Sequence, residues 1–512
     1  MTARRPAAAI VLAAGGGTRM KSATSKLLHQ IGGRSLVGHA LFAVAGLEPE
    51  HTAVVVRAYS EQVRPHVAAL APSAVIVDQD DVYGTGRAVW CGLKALPEAA
   101  RSGVVVVTYG DVPLLTGETL RGLVDQHVRD HNAITALTAF VDDPTGYGRI
   151  LRAGTGGVMG IVEDRDATAE QRKITEINSG IYAFNGDVLS AALESLTPDN
   201  SQGEWYLTDV LGIAAHDGHR VGALVTDDVW QTEGVNDRTQ LATLRRVLND
   251  RITKRWMLDG VTVVDPATTW IDVDVTLGPD VVLEPNTQLR GTTSVGSRSS
   301  IGPDTTLTDC EIGTDALVVR THGVGAIVGS GVLVGPYASL RPGTVLGDHS
   351  KIGTFVETKN AHVGAGAKVP HLSYAGDVTI GEGTNIGAGV IFANYDGIIK
   401  SHSTVGRHVF VGSDSVVVAP LDIADGSYIA AGSTVVSGVA AGELAVGRGK
   451  QRNIPGWVER KRPGTKTHQA AIDAQAGTSA ACHNATPGDT ATPDDTATPD
   501  DTATPEGQEP TP

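Results

Sequence analysis

The chain is short of aromatic residues, of cysteine and of positive charge, and each shortage excludes something. Aromatics make up 4% of its 512 residues, with six phenylalanines against 62 glycines. Such a composition builds few bulky-ring cores and many tight turns, which points to short strands joined by sharp corners. The three cysteines, Cys91, Cys310 and Cys482, are widely spaced with no CxxC. Neither a disulfide framework nor a thiolate zinc site is expected from them, and a reducing cytoplasm fits. A net charge of −16 leaves no general basic surface for nucleic acid or anionic lipid, so no nucleic-acid partner is expected and an anionic substrate must be met locally. Long apolar runs are missing too. Ala7 to Ala14, behind Arg4-Arg5, is too short to span a bilayer and reads as a buried first strand ending in a turn, not as a signal peptide.

What is present divides the chain. Its length implies more than one hydrophobic core. Up to about residue 228, β-branched runs (Ala9–Ala13, Val54–Arg57, Val75–Asp78, Val104–Thr108, Ile134–Phe140, Ile181–Phe184) alternate with helical segments, the pattern of an α/β layered domain with a mainly parallel sheet. Between Asn236 and Leu258 the residues Leu241, Leu244, Leu248, Ile252 and Trp256 recur at three- and four-residue steps, which predicts one long amphipathic connecting helix.

A six-residue period follows. It runs through Ile271, Leu277, Leu283, Leu289, Val295, Ile301 and Leu307, resumes at Val328, Val334, Leu340, Leu346 and Ile352, and returns at Val405, Val411, Val417, Ile423, Ile429 and Val435. Glycine often comes next, as in Ile301-Gly302, Val334-Gly335 and Val411-Gly412. A six-residue unit buries nothing alone, so the units must stack, giving a parallel β-helix with the aliphatic residue inward. Alternating strands of a sandwich would not hold phase over three runs. The period lapses across Val390–Thr404, and loops leaving a solenoid commonly carry binding residues. Residues 481–512 hold four Ala-Thr-Pro copies, seven acids and no Lys or Arg. Such a tail cannot bury enough surface to offset its ordering entropy, and disorder is expected. The expected boundaries are 1–235 for the α/β domain, 236–260 for the linker helix, 261–457 for the β-helix and 458–512 for a disordered Pro/Thr/Asp-rich tail.

Two segments of the α/β domain carry chemistry. Leu12-Ala13-Ala14-Gly15-Gly16-Gly17-Thr18-Arg19-Met20 follows a strand and leads to Lys21 and Lys26. Backbone N–H groups of such a turn can cradle an anion, and the cations add charge where a phosphate would lie, although a bare glycine turn also serves structure alone. Met20 stands where a dinucleotide fingerprint or a P-loop needs glycine, so neither is the reading. The second segment is Tyr109-Gly110-Asp111-Val112-Pro113 after the strand Val104–Val107. A carboxylate at the carboxyl end of a parallel strand suits Mg²⁺ carrying a nucleotide phosphate, and an Asp before Pro is equally a turn former.

With Gln79, Gly84-Thr85, Gly146-Tyr147-Gly148-Arg149, Glu163, Asn178 and Gly234-Val235-Asn236, and with the hexapeptide β-helix behind them, these segments resemble the sugar-nucleotide pyrophosphorylases. More closely, the chain is similar from about Ala9 to Trp457 to the bacterial bifunctional N-acetylglucosamine-1-phosphate uridylyltransferase/glucosamine-1-phosphate N-acetyltransferase family. The resemblance implies a Rossmann-like nucleotidyltransferase domain, a left-handed β-helix and a homotrimer with acetyltransferase sites between subunits. It implies acetylation of glucosamine 1-phosphate by acetyl-CoA, then transfer of UMP from UTP with release of pyrophosphate. The product, UDP-N-acetylglucosamine, would feed peptidoglycan and lipopolysaccharide synthesis.

Roles follow by the same resemblance. Asp111 and Asn236 hold Mg²⁺, while Arg19 and Lys26 stabilise charge on the triphosphate. Leu12, Ala13, Gly15, Tyr109 and Gly110 line the nucleotide, and Gln79, Gly84 and Thr85 read the uracil. Gly148, Glu163 and Asn178 hold the sugar. Gly16 departs from the lysine frequent at that position in relatives. In the β-helix His371 is the base, with Asn394 or Glu357 as its orienting partner. A base titrating near neutrality suits acyl transfer to an amine, and Pro370-His371 is expected on an irregular segment off the core register. Arg341 and Lys359 bind the sugar phosphate, and Tyr374 and Asn385 the sugar. Ala388, Asn394, Tyr395, Ser413, Ala431 and Arg448 line the acetyl-CoA site. Two other readings stay open: a single-activity pyrophosphorylase whose β-helix only assembles or senses, and a non-catalytic solenoid binding protein. The first has no need of the His371–Tyr374 and Asn394–Tyr395 set, and intact Arg19, Lys26, Asp111 and Asn236 speak against the second.

Overall fold

The computed structural model describes residues 5–154 and 156–483. The chain divides into two units, Met1–Arg448 and Gly449–Pro512. The first begins with a nine-stranded mixed sheet. Its path runs Val221–Val225, Ile134–Phe140, Glu176–Asn185, Val104–Tyr109, Ala8–Ala13, His51–Val56, Val75–Asp78, and the hairpin Arg149–Arg152/Val158–Val162 hangs from Glu176–Asn185. Ala8–Ala13 lies parallel to both His51–Val56 and Val104–Tyr109. Glu176–Asn185 is antiparallel to both its neighbours and is the one strand of this path that runs against the others, so the path is mainly parallel, as the residue pattern suggests. Ala8–Ala13 is buried on both faces, which is why it reads as an unbroken apolar run without alternation. Its carboxyl end is a switch point: the chain continues to one side through His51–Val56 and returns on the other at Val104–Tyr109, opening a crevice between loops.

The linker helix Arg238–Leu258 is capped by Asp237, whose carboxylate accepts from the backbone N–H of Thr239 and Gln240, each at 2.9 Å. Leu241 and Leu244 pack with Met20, Ile31 and Leu36 of the first domain, and Ile252 packs into the β-helix core.

The β-helix stacks parallel strands in which Ile271 pairs with Leu289, Leu289 with Leu307, Ile352 with Val369 and Val411 with Ile429. Three hexapeptides therefore make one coil. Of the eighteen in-phase aliphatic residues all but Leu277 are buried, and Leu277 packs against the same core. A second inward position lies two residues earlier and in many repeats is a small hydroxyl: Thr287, Thr293, Thr344, Ser427 and Ser433 are buried, each donating to the carbonyl three residues before it. That local bond satisfies the hydroxyl without a partner across the core. The glycine after the aliphatic residue allows close stacking: a Cβ on Gly412 would lie 2.4 Å from the Ala431 nitrogen. The interrupted period reappears as a register jump, Ile380 pairing with Val405 and Phe392 with Val417, so the segment from Asn394 to Ser401 leaves the coil.

In the second unit the chain forms the helices Trp457–Lys461 and Lys466–His483. Over 458–483 the structure thus departs from the expected disorder. Lys466–His483 is rich in alanine and free of proline, a composition of good helix propensity. The Pro/Thr/Asp-rich stretch from 484 lies outside the described residues.

Candidate active sites

The crevice at the switch point is a cleft of ≈ 570 Å³. Leu12, Ala13, Gly15, Lys26, Gln79, Gly84, Thr85, Tyr109 and Asp111 all line it. Gly110 lies behind, its N–H donating to the Leu12 carbonyl at 2.9 Å and tying the two strand ends together. Gly17 sits at φ +59°, and a Cβ there would lie 3.0 Å from the Lys26 side chain, so glycine both makes the turn and admits the lysine stem. Lys26 is 8% exposed. Its Nζ donates to the Asp111 carboxylate, to the Val235 carbonyl at 3.3 Å and to the Asn236 Oδ1 at 3.5 Å. Val235 N–H in turn donates to the Asp111 carbonyl at 2.9 Å. Lys26, Asp111 and Asn236, spread over 210 positions of the chain, thus meet at one point. Arg19 stands exposed on the short turn Thr18–Met20.

Gln79 donates through Nε2 to the carbonyls of Val82 (2.9 Å) and Gly84 (3.2 Å), shaping the loop over the cleft. The Trp205 backbone closes that loop, donating to the Tyr83 carbonyl at 3.0 Å and accepting from Gly86 N–H at 2.8 Å. Gly148, Glu163 and Asn178 cluster: Asn178 N–H donates to the Gly148 carbonyl at 2.8 Å, and a Cβ on Gly148 would lie 3.5 Å from the Glu163 carboxylate. Thr208 donates its hydroxyl to Glu163 at 3.1 Å. Burial pushes the Glu163 carboxyl up against that bond, with Asp209, Asp166 and Asp164 adding repulsion. Burial and the nearby carboxylates of Glu163 and Asp111 also raise the Tyr109 phenol, so it stays a neutral donor.

On the β-helix one corner stacks His371, Ala388, Ser413 and Ala431 in a column. Gly389 N–H donates to the His371 carbonyl (3.0 Å), Asp414 N–H to Ala388 (2.7 Å) and Gly432 N–H to Ser413 (2.8 Å). Arg448 continues it, its Cδ 4.0 Å from where a Gly432 Cβ would stand. His371 closes the strand Lys368–His371, which pairs with Asn385–Ile386 through Lys368 and Asn385. The segment is therefore regular up to its corner, not irregular as the lost period suggests.

A second cluster lies on an adjoining face. Lys359 pairs with Asp377 at 2.8 Å, Asn360 donates to the same carboxylate at 2.9 Å, and Asn394 donates to it and, at 3.4 Å, to the Tyr374 hydroxyl. Burial works against the Asp377 carboxylate, yet Lys359, Asn360 and Asn394 together hold its carboxyl below the usual range. Arg341 pairs with Glu357 at 2.8 Å, and Glu357 is the strand neighbour of Tyr374. Tyr395 is exposed on the loop, its hydroxyl donating to the Gly397 carbonyl at 2.5 Å. The expected orientation of His371 by Asn394 or Glu357 is not found. Asp377 captures the Asn394 amide, Arg341 captures Glu357, and the His371 ring makes no hydrogen bond among the described residues. Asp377 is the organising residue that sequence reasoning missed. Its signal is faint: an Asp after glycine, in a β-branched run, at the left-handed φ of +47° that Asp tolerates.

Two family models match the chain, the MobA-like NTP transferase domain over residues 9–160 and the bacterial transferase hexapeptide over residues 325–360. Curated relatives match nearly end to end. The bifunctional protein GlmU of Kineococcus radiotolerans is 57% identical across 93% of this chain and 97% of its own. That of Paenarthrobacter aurescens is 58% identical across 92% and 95%, and that of Streptomyces coelicolor 56% across 92% and 98%. With a nucleotidyltransferase fold at one end, a hexapeptide solenoid at the other and full-length identity of this order, the chain belongs to the GlmU family of bifunctional enzymes, a nucleotidyltransferase and an N-acetyltransferase on one polypeptide.

Proposed function

We propose that the β-helix acetylates glucosamine 1-phosphate with acetyl-CoA, and that the switch-point cleft then transfers UMP from UTP to the resulting N-acetylglucosamine 1-phosphate. The observation that carries this reading is the meeting of Lys26, Asp111 and Asn236 beside the glycine turn. In-line phosphoryl transfer asks a protein mainly for positioning and neutralisation of charge. Lys26 supplies charge at the turn, and Arg19 adds to it. Gln79, Gly84 and Thr85 face the base, and Gly148, Glu163 and Asn178 the sugar, where a wrong substrate would leave buried polar groups unpaired.

The donors suit Mg²⁺. The Asp111 carboxylate and the Asn236 amide oxygen are hard oxygens already converging on a cation, the Lys26 ammonium. Among the described residues no cluster of three His, Cys, Asp or Glu side chains offers a cage, so substrate phosphate oxygens complete the set, as Mg²⁺ commonly requires. When bound there, the ion neutralises charge on the triphosphate.

In the β-helix, His371 takes the proton from the sugar amine as it attacks the thioester. Arg341 and Lys359 meet the sugar phosphate, and Tyr374 and Asn385 the sugar. The His371–Ala388–Ser413–Ala431 column with Arg448, flanked by Asn394 and Tyr395, forms the acetyl-CoA track. The chain works as a homotrimer in the cytoplasm. An exposed stack supports the assembly: Tyr337 and Phe355 are 53% and 57% exposed with their rings 5.3 Å apart, and Leu372, beside His371, is 62% exposed. No described helix is long and apolar enough to cross a membrane.

The test follows free thiol from acetyl-CoA plus glucosamine 1-phosphate, and pyrophosphate from UTP plus N-acetylglucosamine 1-phosphate with Mg²⁺. Asp111→Ala should abolish only pyrophosphate and His371→Ala only thiol. Loss of both in either variant, or of neither, would reject the assignment.

A further inference from the structure

We infer that Arg57 is a binding residue for the pyrophosphate portion of the nucleoside triphosphate. The inference rests on the UTP reading of the cleft. Arg57 directly follows the strand His51–Val56, and the parallel neighbour of that strand, Ala8–Ala13, runs into the glycine turn. Adjacent strand ends thus bring Arg57 and Gly15–Gly16 to one rim, and all three line the cleft.

Arg57 is half-buried, and its guanidinium lies over the Tyr83 ring, 3.8 Å from the centroid. Among the described residues its guanidinium has no hydrogen bond and no ion pair. The carboxylates near it are engaged elsewhere, Asp78 by Arg64 at 2.6 Å and Asp80 by Arg87 at 2.5 Å. Lys26 is likewise committed to Asp111 and Asn236. In a chain of net charge −16, an arginine at the mouth of a cleft, whose neighbouring carboxylate Asp80 feels its charge but is bonded to Arg87, is a standing site for an anion. Gly16 leaves room for one. A Cβ there would meet nothing nearer than the Ala58 methyl at 4.0 Å, so the middle of the turn faces the Arg57–Ala58 segment with no side chain between. An anion cradled by the turn's N–H groups would come within reach of a planar fork whose donors match phosphate oxygens. Stacking on Tyr83 keeps that fork ordered before substrate arrives.

The chemistry balances without a further reactant. A sugar-phosphate oxygen bonds to the α-phosphorus as the bond to the bridging oxygen of pyrophosphate breaks, and Arg57 faces the charge carried off on the leaving group.

Kinetics of the full chain in both directions test this. For Arg57→Ala, the KM for UTP and, in reverse, the KM for pyrophosphate should each rise about tenfold, the scale of a hydrogen bond to a charged group. The KM values for N-acetylglucosamine 1-phosphate and UDP-N-acetylglucosamine, thiol release and the melting temperature should hold. Arg57→Lys should recover part of the loss. Gly16→Lys in the Arg57→Ala background should recover it from the other side of the same space. An unchanged pyrophosphate KM overturns the inference, as does a rise in the UDP-sugar KM instead, which would place Arg57 on the nucleoside. A wild-type chain releasing no pyrophosphate from UTP would remove the underlying reading, and this inference with it.

Discussion

Single carboxylates in opposite environments set the pH behaviour of the two halves. Asp377 accepts from Lys359, Asn360 and Asn394, and its lowered pKa means that this pairing is complete above the ordinary carboxylate range of about 4 and is lost only as pH falls through the lowered value. Asp377→Asn should therefore melt below wild type from neutrality down to about pH 4, with the difference closing in stronger acid. Its KM for glucosamine 1-phosphate should rise, because Lys359 loses its anchor. A melting difference that instead persists unchanged through strong acid would show that the ion pair contributes nothing. Glu163 has the opposite sign. Burial raises it, so the folded state favours the neutral acid, and that advantage fades as pH rises through the raised value. Glu163→Gln should melt above wild type at pH 8, with a margin that narrows toward acid, while the KM for N-acetylglucosamine 1-phosphate increases. A variant less stable than wild type at pH 8 would contradict the assignment of burial as the dominant cause.

At the scale of elements, the departure of Asn394–Ser401 from the coil separates scaffold from function. Ile380 pairs with Val405, and Val405 with Ile423, so removal of 395–401 leaves a regular coil length. The strands above and below already keep their register across the loop. The shortened chain should fold, melt cooperatively and release pyrophosphate at the wild-type rate, and acetyl transfer should vanish with Tyr395 and the displaced Asn394. Thiol release at more than a tenth of the wild-type rate would show the loop to be decoration. The linker helix has a different part. Its cap, Asp237, adjoins Asn236, and the Asn236 N–H donates to the Gln240 side chain at 2.8 Å, so the start of the helix fixes one member of the Lys26–Asp111–Asn236 group while its later turns pack on the β-helix.

At the scale of the molecule, the exposed Tyr337–Phe355 stack and Leu372 run along the solenoid beside His371. An apolar ridge of this kind asks for a partner, and a second copy of the chain would bring its residues to the His371 column. On the trimer proposed above, Phe355→Glu should lower the mass seen by light scattering to that of a monomer, abolish thiol release and spare pyrophosphate release. A trimer that survives the substitution would move the interface to another face.

Much of this was legible in the residues themselves. The six-residue period fixed which side chains turn inward, because a repeat too short to bury anything must stack on itself, and the buried set follows that period closely. The apolar run at Ala8–Ala13 announced a doubly covered strand, and the glycine turn and Asp111 marked its crevice. Over 466–483 alanine content and the lack of proline favour a helix locally, whereas the proline-rich stretch that follows has no such propensity. What only the tertiary structure decided is who meets whom. Lys26 reaches Asp111 and Asn236 because two strands and a helix start end at one crevice. Asp377 gathers Lys359, Asn360 and Asn394 because successive coils bring residues 17 apart into register, and Arg57 stands free because Arg64 and Arg87 hold the carboxylates around it. Periodicity is a local property, set by backbone geometry and burial, and one chain displays it. The pairing of charges is decided by the distances that folding creates, and those appear only in three dimensions.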